Sequence, residues 1–176
     1  MSIASIPGMR ERTIVLNGFS KAFSMTGWRL GYILAPQALI TPMLRIHQYV
    51  IMCASTMSQY AGLEALRSGL EENFATVEKM VAEYNKRRRV IVDGLRKIGL
   101  PCFEPEGAFY AFPNIGATGL SSEEFCTRLL REQKIAIVPG TAFGQSGEGY
   151  ARISYAASMD NIRFALKGIE AFVQSL

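Results

Sequence analysis

Residues 13–35 restrict the fold more than any other part of this 176-residue chain. Thr13-Ile14-Val15-Leu16-Asn17 is β-branched and apolar, has no internal turn residue and stops at Gly18. That pattern predicts a short buried strand. Leu30-Gly31-Tyr32-Ile33-Leu34-Ala35 predicts a second strand, closed by Pro36. Between them runs Gly18-Phe19-Ser20-Lys21-Ala22-Phe23-Ser24-Met25-Thr26-Gly27-Trp28-Arg29, in which Lys21 and Arg29 are the only charges. Glycine and small side chains let the backbone come close to a ligand. An arginine offers a planar fork that donates two parallel hydrogen bonds to a dianion such as phosphate. A lysine amine becomes a nucleophile when burial beside another cation favours its neutral form. Phe19, Ala22 and Phe23 around Lys21, with Arg29 nearby, supply those ingredients.

The rest of the chain alternates helical and strand patterns. Helices are predicted over 36–49 and over 55–68, the second stopped by Gly69. The longest helical segment spans 70–98, with Phe74, Val77, Val81, Tyr84, Val90 or Ile91, and Leu95 near a 3.6-residue period, and Gly99 and Pro101 end it. A helix of that length connects lobes, which puts a domain boundary near residue 75. Strands are predicted at 107–113, 135–138 and 150–155. Ser121 and Glu124 have capping-box spacing at the start of a helix that runs to about 133. Ser158 caps a final helix over 159–174. The glycine-rich run 144–149 lacks the Lys-Ser/Thr ending of a phosphate loop and reads as a turn.

Composition narrows the function classes. Hydrophobic residues make up 49% and charged residues 19%, with a net charge of +4, as in ordinary well-packed domains. No apolar run approaches the ~20 residues of a membrane span, and no signal-peptide pattern opens the chain, so a cytoplasmic, non-membrane protein is expected. Cys53, Cys102 and Cys126 have neither metal-ligand nor disulfide-framework spacing; Cys53 and Cys126 are expected in the core. His47 is the only histidine, and no metal site is expected. Lys86-Arg87-Arg88-Arg89 falls in a helical pattern whose successive residues point in different directions, which argues against a nucleic-acid patch.

The run from Asn17 to Tyr32, with Ser-Lys, Met-Thr-Gly-Trp-Arg-Leu-Gly and the eight-residue Lys21–Arg29 spacing, closely resembles the pyridoxal-phosphate lysine motif of class I/II aminotransferases. These are fold type I enzymes of the aspartate aminotransferase superfamily. The resemblance implies an α/β chain: residues 1–75 as the C-terminal part of the large pyridoxal 5'-phosphate (PLP) domain, followed by an α+β small domain over 76–176. It implies PLP as cofactor, Lys21 as Schiff-base lysine and proton-transfer base, and Arg29 and Ser20 as cofactor contacts. Arg152, in Tyr150-Ala151-Arg152-Ile153-Ser154-Tyr155, is similar to the arginine that pairs with the substrate α-carboxylate. Phe109 and Tyr110 are candidates for side-chain selectivity, with strand core the alternative. The implied substrates are an amino acid and a 2-oxo acid, and the implied assembly is a homodimer. Gly18 stands where the family often has a hydroxyl residue. The motif lies past the middle of family chains, so this one reads as a C-terminal portion, lacking the aspartate that pairs with the cofactor ring nitrogen. The alternative is a catalytically inactive fragment or scaffold module derived from an aminotransferase.

Overall fold

A computed structural model describes residues 2–176. The chain divides into two compact units, residues 1–79 and 80–176.

In the first unit, β1 (Val15–Gly18), the single-turn α1 (Phe19–Ala22) and β2 (Gly31–Leu34) are followed by α2 (Gln37–Val50) and α3 (Thr56–Glu71). β1 and β2 form an antiparallel pair from Val15↔Leu34 to Gly18↔Gly31. The lysine loop is therefore the connection of a two-stranded ribbon. The first strand was expected to be buried, yet Leu16 is 71% exposed, as is Leu34 of its partner at 59%. The reason is that the sheet has only two strands, and no further layer of this unit covers their apolar side chains. The unit's small core is Phe19, Met25 and Leu30, packed by Phe23, Ala54, Ala61 and Ala65. Cys53, expected in the core, is exposed beyond the end of α2.

The helix predicted over 70–98 is interrupted at its start. α3 ends at Glu71 and α4 spans Ala75–Lys97. Asn73 and Phe74 take left-handed φ values of 49° and 57°, and the Phe74 N–H donates to the Gly69 carbonyl at 2.6 Å. The Phe74 ring then occupies the space beside Gly69, where a Cβ would come within 2.7 Å of it. The period of apolar residues continues through the break because the turn itself packs the half-buried Phe74 ring on Gly69.

In the second unit, α4 leads to β3 (Tyr110–Ala111), α5 (Ser122–Gln133), β4 (Val138–Pro139), β5 (Ala151–Ser154) and α6 (Met159–Gln174). β5 is central in a three-stranded antiparallel sheet ordered β3-β5-β4. The strand expected at 107–113 begins only at Tyr110, because Ala108 has a left-handed φ of 59°; its ladder covers Tyr110–Ala111, with a separate bridge from Pro113 to Cys102. The strand expected at 135–138 pairs only at Val138–Pro139, overlapping the expectation at Val138 alone, and Pro139 is tolerated because β4 is an edge. Ile91, Val92 and Leu95 of α4, Phe125, Cys126 and Leu129 of α5, and Ile162, Ile169 and Phe172 of α6 close over Ala111 and Ile153 of the sheet. Burial pushes the Cys126 thiol up to about 11. Ser121 accepts a hydrogen bond from the Glu124 N–H at 3.2 Å, and Ser158 one from the Asn161 N–H at 3.2 Å. The basic run is split between partners: Arg87 bonds Glu83 at 3.1 Å, while Arg88 pairs with Glu104 and Asn85. Among the described residues no helix is long and apolar enough to cross a membrane.

Candidate active site

The loop between β1 and β2 is held by its own backbone. The Phe19 N–H donates to the Leu30 carbonyl at 3.2 Å, and the Met25 N–H donates to the Phe19 carbonyl at 3.4 Å. The Thr26 hydroxyl donates to the Ser20 carbonyl at 3.0 Å, and Arg29 Nη1 donates to the Thr26 carbonyl at 3.0 Å. Arg29 is thus tied through Thr26 to the turn that carries Ser20 and Lys21. Ser24 and Arg29 both adopt left-handed φ, 55° and 52°, a conformation that costs non-glycine residues about 1 kcal/mol or more. The surrounding contacts hold them there. Gly31 is tight, since a Cβ would lie 3.1 Å from the Asn17 carbonyl oxygen and the ribbon would have to give by a few tenths of an ångström. Gly18 has ordinary room, its nearest neighbour being 3.5 Å from a built Cβ.

From the other side α3 braces the loop. The buried Ser58 hydroxyl donates to the Trp28 carbonyl at 2.7 Å. One turn later Gly62 admits Leu30 and Phe19, whose side chains would lie 2.5 and 3.3 Å from a Cβ. These supports give no signal in the local pattern of α3, because their role exists only once the helix packs on the loop. Lys21 and Arg29 are exposed and Ser20 half-buried. The enclosure of Lys21 expected from its aromatic flanks does not come from those flanks. Phe19 turns toward Phe23 and Tyr32, and Phe23 toward Phe74. The donor set on this one loop (a primary amine, a guanidinium and the Ser20 hydroxyl) fits an aldehyde that carries a phosphate group.

Arg152 sits on the central strand of the second unit, described by itself. Alternation along β5 buries Ala151 and Ile153 and sends Arg152 to the opposite face. Its Cζ lies over the Tyr110 ring at 4.5 Å and over the Phe143 ring at 4.7 Å. Its Nε is buried without a hydrogen-bond partner. No carboxylate of the described residues pairs with it, although six other ion pairs form. A guanidinium stripped of part of its water and given no anion is costly unless a ligand supplies one. Tyr110 reaches Arg152 because it stands opposite Ser154, placing it diagonal to Arg152 on the same face. Phe109 instead stacks against Tyr84, ring centroids 5.9 Å apart, and packs half-buried against the core, while Tyr110 lines the arginine.

The turn that feeds β5 is anchored by Ser122. Its fully buried hydroxyl accepts from the Gly149 N–H at 2.9 Å and the Tyr150 N–H at 3.2 Å. The Glu148 carboxylate accepts from the Ser122 N–H at 2.8 Å. Gly140 and Gly147 meet backbone to backbone, with no space for a Cβ on either. The run 144–149 is therefore a packed turn that sets where Arg152 begins.

The profile of the family described as aminotransferase class I and II matches residues 3–169. This chain belongs to that family. The aromatic-amino-acid aminotransferase 2 of Thermococcus litoralis is 49% identical over 169 residues, covering 96% of this chain and 43% of that protein. The aspartate aminotransferase of Pyrococcus abyssi is 49% identical over 169 residues, again 96% and 43%. The crystal structure of an aromatic aminotransferase from Pyrococcus horikoshii OT3 superposes with a TM-score of 0.92 at 46% identity, covering 99% of this chain and 46% of that one. The chain therefore spans less than half the length of the aminotransferases it matches, and its α/β elements follow the fold of this aminotransferase family.

Proposed function

We propose that this chain is the lysine-bearing portion of a PLP-dependent aminotransferase that moves an amino group between an amino acid and a 2-oxo acid. The observation that carries the reading is the braced loop that ties Arg29 through Thr26 to the turn of Lys21. When bound, the cofactor supplies an electron sink for charge at the substrate Cα. Lys21 would hold the cofactor through Nζ, and its free amine is the base that would move the proton at the substrate Cα. Arg29 grips the phosphate, with Ser20 contributing a hydroxyl. Arg152 takes the substrate α-carboxylate, which supplies the anion its guanidinium lacks and orients the substrate for proton removal.

In this reading residues 1–75 are the C-terminal part of a large PLP-binding domain, and 76–176 a small C-terminal domain. The exposed apolar faces of residues 1–79, from Leu16 and Leu34 to Tyr49, Met57, Tyr60 and Leu70, suit a piece of a larger domain. A cytoplasmic homodimer completes the proposal. Two relatives of equal identity carry aromatic and aspartate names, so likeness to them does not single out one amino acid.

The test is reductive trapping. The 176-residue chain is incubated with PLP, treated with borohydride and peptide-mapped. We expect one adduct, on Lys21, absent from Lys21→Ala. Label scattered over surface lysines in both proteins would refute the cofactor role and favour the scaffold reading.

A further inference from the structure

Arg152 has two aromatic neighbours that do not depend on one another. Tyr110 arrives across the sheet from β3, fixed by its pairing opposite Ser154. Phe143 arrives from the short 3-10 turn Gly140–Phe143 after β4. Phe143 is steadied edge-on by Phe112, ring centroids 6.2 Å apart at 73°, and Phe112 stacks on Tyr150 at 5.4 Å and 12°. Both rings approach the guanidinium well inside the ~6 Å range of a cation–π contact. The protein gives that guanidinium no hydrogen bond at its buried Nε. The position of the charged head is thus set by ring faces, in a setting where arginine is ordinarily held by carboxylates.

We propose that Tyr110 and Phe143 are positioning residues for the carboxylate-binding arginine. They form an aromatic seat that holds the Arg152 head group in place while leaving its charge unpaired for a substrate carboxylate. The inference rests on the carboxylate reading of Arg152 given above. The physical advantage is specific. A protein carboxylate in the same place would orient Arg152 equally well but would compete with the substrate for its N–H groups, whereas a ring face attracts the cation without consuming a donor. For Tyr110 the ring and not the hydroxyl is the contact, so Tyr110→Phe keeps the seat. Leucine at either position keeps apolar bulk but removes the π face.

The test reads the arginine directly, with no cofactor required. Nitrogen–proton spectra of the arginine Nε–H groups are recorded on the isotope-labelled 176-residue chain, with Arg152→Lys assigning the resonance. Pyruvate, the smallest 2-oxo acid, is the titrant. We expect the Arg152 Nε–H to be shifted upfield by ring currents and to exchange slowly with solvent. Tyr110→Phe and Phe143→Tyr should preserve that resonance. Tyr110→Leu and Phe143→Leu should move it toward the exposed arginines and weaken pyruvate binding about fivefold or more, with the melting temperature followed in each variant.

A resonance indifferent to both leucine variants would overturn the proposal, as would a shifted resonance with pyruvate affinity unchanged. Either failure would leave the carboxylate reading standing if Arg152→Lys still abolished pyruvate binding. Pyruvate shifts that survive Arg152→Lys would overturn the carboxylate reading and the positioning role with it, even where the ring-current shift persists.

Discussion

At the scale of single residues, the two glycines that pair across the ribbon, Gly18 and Gly31, carry different constraints. Gly18 is extended, with φ −150° and ψ 158°, a conformation open to any residue, and a Cβ there meets only ordinary contacts. The hydroxyl often found at this position in the family is therefore absent by choice of residue and not for lack of space. Gly31 is tight against the Asn17 carbonyl oxygen. Gly18→Ser is expected to leave the melting temperature nearly unchanged, within about 0.5 kcal/mol of stability. Gly31→Ser is expected to cost roughly 1–3 kcal/mol by overpacking the ribbon. Urea melts of the two variants, run side by side, check the difference; equal losses would show that the ribbon does not hold this register.

At the scale of elements, the positions of the candidate residues depend on side chains that carry no chemistry. Ser58 and Gly62 on α3 support the lysine loop from beneath. Ser122 at the start of α5 does the same for the turn before β5, bonding two N–H groups of that turn. Its replacement by alanine leaves the part-buried Gly149 N–H without its acceptor, while the Tyr150 N–H keeps the Gly147 carbonyl at 3.2 Å; an unsatisfied donor costs up to roughly 1–3 kcal/mol. Ser122→Ala should lower the urea midpoint by the corresponding amount. It should also raise hydrogen exchange at Gly149 and Tyr150 while the centre of α6 stays protected. Uniform loss of protection would mean that the turn and the core open together.

At the scale of the whole molecule, the two units differ in how much they bury. The second has a core of three helices over a sheet, and most of the exposed large hydrophobic side chains among the described residues lie in the first. The second unit also stores a pH dependence. Cys126 is raised from 9.0 to about 11 by desolvation, and Cys102 and Tyr155 are raised for the same leading cause. A raised thiol pKa means the folded chain keeps a proton that the unfolded chain releases. The unfolded state thus binds fewer protons between pH 9 and 11, and stability falls as pH rises through that window. Cys126 alone accounts for on the order of 2–3 kcal/mol, fully present below pH 9. Urea midpoints should drop between about pH 9 and 11, and Cys126→Ala should flatten that drop. A slope unchanged by Cys126→Ala would place the titration elsewhere.

Much of the local structure was legible because it depends on near neighbours in the chain. The strand–loop–strand run, the serine caps at Ser121 and Ser158, and the helical stretches each follow from residues within a few positions of one another. The resemblance around Lys21 was legible for the same reason, since a motif is a local object. The burial of β1 was misjudged because a continuous apolar run reports what a strand can cover, not whether a covering layer is present in the chain. Cys53 was misplaced for the same reason. The break at Asn73 and Phe74 was hidden because the apolar period runs through it, and only the packing of Phe74 on Gly69 reveals the turn. The pairing of Tyr110 and Phe143 around Arg152 could not be read from spacing. It joins residues from β3, β5 and the turn after β4, and distances between elements are set by the closure of a shared core, which no local pattern encodes.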